Sequence, residues 1–208
     1  MEHSISFEQT GRYFSEGNHK SPSHVWLVLH GYGQLAKYFL KKFSYLSSKD
    51  HNLIIAAEGL HRFYLKGSNG RVGASWMTAE NRMEDISNYL QYLSKIVKEV
   101  KQKYPNATIN LLGFSQGAAT ACRLFQFQPA AFKKLVLHSS VFPPDLDFDL
   151  FPEQVEQSTV YFAFGNRDPY LNDERLEVTL KRCKDLNCNV IAFEGAHDIS
   201  DQVLQAIS

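Results

Sequence analysis

Hydrophobic and polar positions along the chain follow two alternating patterns. Short apolar runs, at residues 25–29, 108–112 and 134–138, have the length and the β-branched content of buried strands. Longer segments between such runs carry apolar residues at steps of three and four, the spacing of an amphipathic helix. This alternation predicts an α/β fold with a mainly parallel central sheet and helices on both faces.

The clearest predicted helix begins near residues 78–80 and ends at Tyr104, because Pro105 disfavours helical backbone in the residue before it. Its expected buried face is an apolar stripe of Met83, Ile86, Leu90, Leu93, Val97 and Val100. Further strands are expected at 159–164 and 189–193, and further helices from the elbow described next to about residue 127, over 172–186, and at the chain end to residue 207. Near the N-terminus, segments 4–8 and 11–15 are expected to form an edge hairpin.

A serine stands where a predicted strand meets a predicted helix. Residues 113–117 read Gly-Phe-Ser-Gln-Gly and follow the apolar run 108–112 directly. A strand that turns straight into a helix strains the residue at the turn, and the flanking glycines let helix and strand approach closely. The spacing therefore predicts a nucleophile elbow with Ser115 as the catalytic nucleophile.

A serine hydroxyl needs a base and a carboxylate, which in this architecture follow it in the order acid, then histidine. Asp168 follows the predicted strand 159–164, and His197 follows the predicted strand 189–193. Because the ends of parallel strands meet at one edge of a sheet, these side chains are expected to converge. We interpret His197 as the general base and Asp168 as the carboxylate that fixes its tautomer.

Two other aspartates compete for the role of the acid. Asp198 is adjacent to His197 and cannot easily turn back to the Nδ1 atom of that ring. Asp145 lies in a proline-bounded acidic segment. Asp168 is therefore the favoured acid.

An acyl-transfer site also needs two N–H donors for the oxyanion. One is the backbone N–H of Gln116, the residue after the nucleophile. The other is expected in the loop after strand 25–29, where the backbone N–H of Tyr32 lies between two glycines.

The chain resembles the carboxylesterase/phospholipase group of α/β-hydrolases, which includes the acyl-protein thioesterases. The likeness lies in four segments, Leu-His-Gly-Tyr-Gly at 29–33, Gly-Phe-Ser-Gln-Gly at 113–117, Gly-x-x-Asp-Pro at 165–169 and Gly-Ala-His-Asp-Ile at 195–199. The resemblance implies the α/β-hydrolase fold and implies that Trp76 and Met77 line the substrate-binding site. Departures from the group's usual residues occur at Phe164, Met77 and Ala196.

Composition narrows the possible functions. A chain of 208 residues suits one domain, 1–208. With 22 basic and 22 acidic residues and no basic stripe, the chain is not expected to bind nucleic acid. No apolar stretch approaches the length of a membrane span and no secretory signal is visible, so a cytoplasmic location is expected. The cysteines and histidines show no metal-ligand spacing, and neither a metal nor another cofactor is expected.

The segment 139–158 separates the strand 134–138 from the strand that carries the acid. It is too short to build a cap domain, and its prolines and acidic residues indicate a solvated loop. If this loop borders the site, its charge is expected to disfavour acidic substrates.

The residues together predict a serine hydrolase that cleaves small-molecule carboxylic esters or thioesters through an acyl-enzyme. The alternatives are a peptide hydrolase or an acyltransferase on the same fold, or a binding protein that has lost catalysis.

Overall fold

The fold is built on one large, mostly parallel β-sheet. The structure is a computed structural model, which describes residues 1, 3–155 and 157–208. The strands are β1 Tyr13–Gly17, β2 His24–Leu29, β3 Asn52–Ala57, β4 His61–Tyr64, β5 Val72–Ser75, β6 Thr108–Phe114, β7 Lys134–His138, β8 Thr159–Gly165 and β9 Asn189–Phe193.

Among the described residues, the large sheet has seven strands in the order β1-β3-β2-β6-β7-β8-β9. Only β1 is antiparallel to its neighbour, and all other pairs are parallel. Strands β4 and β5 form a separate antiparallel hairpin. The prediction of a mainly parallel central sheet is therefore confirmed.

Helices cover both faces of this sheet. The helices are α1 Ala36–Phe39, α2 Ser44–Ser47, α3 Arg82–Lys103, α4 Gln116–Phe127, α5 Phe151–Val155, α6 Asp173–Asp185 and α7 Asp201–Ile207, with short 3₁₀ turns at Leu40–Phe43 and Pro129–Ala131. Alternate residues of β2 point to opposite faces: Val25 and Leu27 pack with α3, α4, α5 and α6, whereas Trp26 and Val28 pack with α1, α2 and α7. Within the described residues there is no separate cap domain, as predicted.

No helix in the described part of the chain combines the length and the apolar character that a bilayer crossing requires.

The predicted N-terminal hairpin is wrong. The edge strand β1 begins at Tyr13 and pairs with β3, and residues 3–12 contain no strand. The chain at Gly11 passes against the ring of Tyr92 on α3, whose hydroxyl donates to the carbonyl of Arg12. The preceding segment therefore leads towards α3 and does not turn back along β1.

The buried face of α3 also differs from the predicted stripe at one end. Met83 is 70% exposed, because it lies in the first turn, ahead of the point where the helix meets the core. Tyr89 and Ile96, which the stripe omitted, are buried. The remainder of the stripe packs against the core as predicted.

The segment 139–158 is not a solvated loop, and that prediction is wrong. Phe142, Leu146, Phe151 and Val155 are buried in the core on the α3 side of the sheet, and α5 lies within the segment. The apolar residues between the acidic ones hold the segment against the sheet. Glu156 lies outside the described residues.

Candidate active site

Ser115 occupies a sharp turn between β6 and α4. Its backbone has φ 54° and ψ −121°, a conformation that side-chain-bearing residues rarely adopt. A Cβ on Gly113 would lie 2.2 Å from the carbonyl oxygen of Gly117, and one on Gly117 would lie 2.2 Å from that of Leu29. Both glycines are therefore required by the close approach of helix and strand. The N–H of Ser115 donates to the carbonyl of His138, at 3.0 Å.

Asp168 and His197 are brought together from the ends of β8 and β9. His197 Nδ1 lies 2.7 Å from Asp168 Oδ2. A carboxylate can only accept, so Nδ1 carries the proton and Nε2 of the neutral ring is free to accept one. The other oxygen of Asp168 accepts from the N–H of Tyr170, at 2.9 Å. Asp168 is 6% exposed, so the pair is held in a largely dry environment.

The two loops that carry this pair are joined by further contacts. The N–H of Arg167 donates to the carbonyl of Gly195 at 2.9 Å, and the N–H of Gly195 donates to Asn166 Oδ1 at 3.2 Å. The imidazole ring of His197 packs against Phe114 and Tyr170, with ring centroids 4.8 and 4.6 Å apart. Backbone and ring contacts together fix the orientation of the imidazole.

Ser115 and His197 line the same cavity, whose volume is about 680 Å³. It opens at the carboxyl ends of the parallel strands, where ligand sites of open α/β sheets generally lie. Apolar side chains such as Val141 and Leu171 also border the cavity, as do charged side chains such as Arg82 and Asp145.

Neither competing aspartate contacts the ring nitrogens of His197 among the hydrogen bonds of the described residues. Asp198 accepts from Lys42 Nζ at 2.6 Å and from the N–H of Ile199. Asp145 accepts from Arg123 Nε and Nη2, at 2.8 and 2.7 Å. These hydrogen bonds from Arg123 lower the pKa of Asp145 to about 2.

The loop after β2 is braced around His30. His30 Nε2 accepts from the N–H of Gly59 at 2.9 Å, so Nδ1 carries the proton and donates to the carbonyl of Gly31 at 2.8 Å. Burial lowers the pKa of His30, which keeps the ring neutral. The next glycine, Gly33, has φ 74° and donates its N–H to Ala74 on β5.

Two backbone donors, one in this loop and one at the start of α4, have no protein acceptor among the described residues. In the part of the chain that the structure describes, the N–H groups of Tyr32 and Gln116 donate to no protein atom. The side chain of Tyr32 is 61% exposed, and its ring packs against that of Phe63 at a tilt.

Of the two residues expected to bind substrate, only Met77 lines the cavity. Trp76 is fully buried, and its indole N–H donates to the carbonyl of His30 at 2.8 Å. The structure therefore places Trp76 beneath the His30 loop, and its side chain does not line the cavity.

The side chain of Gln116 makes contacts that the sequence interpretation did not anticipate. Its Oε1 accepts from the N–H of Trp76 at 3.1 Å, and its Nε2 donates to the carbonyl of Met77 at 2.9 Å. The residue after Ser115 thus ties the segment after β5 to the turn between β6 and α4. The glutamine was visible in the motif, but its distant partners were not.

Three arginines in the cavity wall were also missed. Arg82, Arg123 and Arg175 belong to three different helices and meet only in the folded chain. No group of three or more His, Cys, Asp or Glu side chains among the described residues is arranged to hold a metal ion.

Solved structures share this fold at low sequence identity. The Bacillus cereus carboxylesterase is 20% identical with a TM-score of 0.67, and the match covers 95% of this chain and 91% of that one. The Zea mays acyl-protein thioesterase 2 is 12% identical with a TM-score of 0.70, covering 95% and 96%. A Mesorhizobium loti carboxylesterase is 15% identical with a TM-score of 0.70, covering 95% and 92%.

A comparison with curated proteins finds none that matches the chain. A family comparison does find a match, to the phospholipase/carboxylesterase family, over residues 15–208. Because this match takes in nearly the whole chain, including every segment that forms the cavity, the protein belongs to the phospholipase/carboxylesterase family of α/β-hydrolases.

Proposed function

We propose that the protein is a serine hydrolase that cleaves carboxylic esters or thioesters through an acyl-enzyme. The observation that carries the proposal is the Asp168–His197 hydrogen bond of 2.7 Å at a cavity that also exposes Ser115 on its elbow. Family membership supports the same class of reaction.

In the proposed first step, Ser115 Oγ attacks the carbonyl carbon of the substrate while His197 Nε2 takes the hydroxyl proton. The negative charge that develops on the carbonyl oxygen is stabilised by the N–H groups of Tyr32 and Gln116. The carbonyl then re-forms, the bond to the alcohol or thiol breaks, and His197 gives its proton to that leaving group. Asp168 stabilises the imidazolium in between.

In the proposed second step, water takes the place of the alcohol or thiol. His197 removes a proton from the water, the hydroxide attacks the acyl carbonyl, and the proton returns to Ser115 Oγ as the carboxylic acid leaves. The two oxyanion donors act again. Because they are backbone groups on a braced loop and a helix end, they need little reorganisation when the charge develops.

Labelling with a fluorophosphonate tests the nucleophile. We expect stoichiometric modification of Ser115, identified by peptide mass spectrometry, and none in Ser115→Ala. Ser140→Ala is the matched control, because Ser140 lines the same cavity and is expected to leave labelling intact. Labelling at another residue contradicts the assignment of Ser115 as the nucleophile. No labelling of the wild type contradicts the proposed hydrolase and favours a binding protein.

A panel of ester, thioester and peptide substrates then tests the reaction class. We expect turnover of esters or thioesters by the wild type and no hydrolysis of peptides. Peptide cleavage with no ester or thioester cleavage contradicts the proposed chemistry.

Ester hydrolysis is expected to rise with pH through a single ionisation and then to level off, because only neutral His197 can accept the Ser115 proton. Burial lowers the pKa of His138 to about 3 and also lowers that of His30. Both rings therefore stay neutral near neutral pH and are not expected to add an ionisation of their own to the profile. A profile of kcat/KM from about pH 5 to 9 measures the effect. A rate that falls with pH, or that rises through two ionisations, contradicts this assignment.

A further inference from the structure

The cavity beside Ser115 carries more positive than negative side chains. Three arginines, Arg82, Arg123 and Arg175, line it, whereas Asp145 is the one acidic residue among the described residues of the lining. Asp147, Asp149 and Glu153, the described acidic residues that follow Asp145 in the 139–158 segment, are not part of the lining. The acidic composition of that segment therefore does not determine the charge of the cavity.

The single carboxylate is shared by two of the arginines. Arg123 binds Asp145 through two nitrogens, and Arg82 Nη2 binds the same carboxylate at 2.8 Å. Arg123 is 6% exposed, and its Nη1 donates to the hydroxyl of Tyr89 at 3.2 Å. Arg123 is thus engaged within the protein, and one negative charge faces two positive ones. The Arg82 side chain is 32% exposed and has N–H groups left to bind a ligand.

Arg175 adds a further positive charge. It lies in the first turn of α6, is exposed, and lines the cavity. No ion pair joins it to another of the described residues. Asp173 and Glu174 precede it on the same helix but do not line the cavity.

Part of the cavity wall is apolar. It includes Ala119, Val141, Pro143 and Leu171. Helix α4 runs along it from Gln116 to Arg123, a rise of about 10 Å. The cavity therefore combines Ser115, three arginines against one carboxylate among its described lining residues, and apolar wall surface that a short hydrocarbon chain can contact.

We propose that the cavity selects esters or thioesters whose acyl chain ends in an anionic group such as a carboxylate, held by Arg82 and Arg175. This inference rests on the proposed hydrolase function. The acyl chain is the part of the substrate that stays bound through both steps, so an anion site in the serine's own cavity acts on formation and on hydrolysis of the acyl-enzyme. This is the opposite of the preference expected from the acidic sequence of residues 139–158.

The test compares two probes that differ by one charge, mono-4-nitrophenyl suberate and its neutral methyl ester. Release of 4-nitrophenolate gives kcat/KM for each, and the ratio of anionic to neutral probe is the readout. We expect a wild-type ratio above one that falls as salt is added, since ions screen the attraction. Arg82→Gln and Arg175→Gln are each expected to lower the ratio by about 3- to 10-fold.

Lys181→Gln is the matched control, because Lys181 is an exposed cation on α6 that does not line the cavity. It is expected to leave the ratio unchanged. Turnover of the neutral ester with a ratio at or below one overturns the anion preference and leaves the hydrolase function standing. The anion preference is also overturned if Arg82→Gln and Arg175→Gln lower the ratio no more than Lys181→Gln does. Failure to hydrolyse either ester overturns the hydrolase function and this inference with it.

Discussion

Replacing Ser115 by alanine is expected to lower kcat for ester hydrolysis by on the order of 10⁶-fold, and His197→Ala is expected to have an effect of the same size. Ser115→Ala lacks the oxygen that forms the acyl-enzyme, whereas His197→Ala lacks the base that activates this oxygen. Because the two groups act on one proton transfer, the double variant is expected to be hardly slower than either single one.

The fold is expected to survive these changes. The N–H of residue 115 still donates to the carbonyl of His138 in Ser115→Ala, and Gly113 and Gly117 keep the elbow in place. Long incubations with a 4-nitrophenyl ester measure the residual rate, and thermal unfolding checks that the variants are folded. Ser140→Ala controls for removal of a hydroxyl from the cavity wall. A Ser115→Ala variant that keeps more than about a tenth of wild-type activity contradicts the covalent mechanism.

Features that depend on residues close together in the sequence could be predicted from it. The elbow is specified by five consecutive residues, 113–117, and the structure places a strained Ser115 there with glycines where no Cβ fits. Strands β7 and β9 begin and end where the apolar runs predict. Because parallel strands end at one edge of a sheet, the positions of Asp168 and His197 after two predicted strands were enough to predict the contact between them.

Features that depend on distant residues were not visible. The run Asn52–Ala57 is apolar and short enough for a strand, but nothing local shows that it lies between β1 and β2. The N-terminal alternation that suggested a hairpin has no sheet partner, since β3 pairs with β1 at residues 13–17. Periodicity shows which face of a strand is apolar, but it does not show which other strand pairs with that strand.

The charge of the cavity is the clearest example of such a long-range effect. Asp145 appears in the sequence as one of several acidic residues between prolines, yet Arg123 and Arg82 reach it from helices that are remote in the chain. Trp76 illustrates the reverse case. The family resemblance implied that Trp76 contacts substrate, but its hydrogen bond to His30 and its complete burial make it part of the support for the loop that carries Tyr32.

Replacing Asp168 by asparagine is expected to lower kcat by about 10⁴-fold. Asp168 can only accept from His197 Nδ1, which leaves Nε2 free to take the Ser115 proton. An asparagine amide can donate to Nδ1 instead, and the proton then sits on Nε2, where it blocks that transfer. Local structure is expected to persist, because the amide oxygen can still accept from the N–H of Tyr170.

Asp198→Asn is the matched control, because it makes the same chemical change next to His197 while its carboxylate binds Lys42 on the protein surface. We expect it to change kcat by less than about threefold, in keeping with the small energetic value of an exposed ion pair. Steady-state rates of both variants, measured across the pH range in which the wild type is active, separate the two aspartates. If Asp168→Asn keeps near wild-type activity while Asp198→Asn is inactive, Asp198 is the acid and the role proposed for the 2.7 Å contact between Asp168 and His197 is wrong.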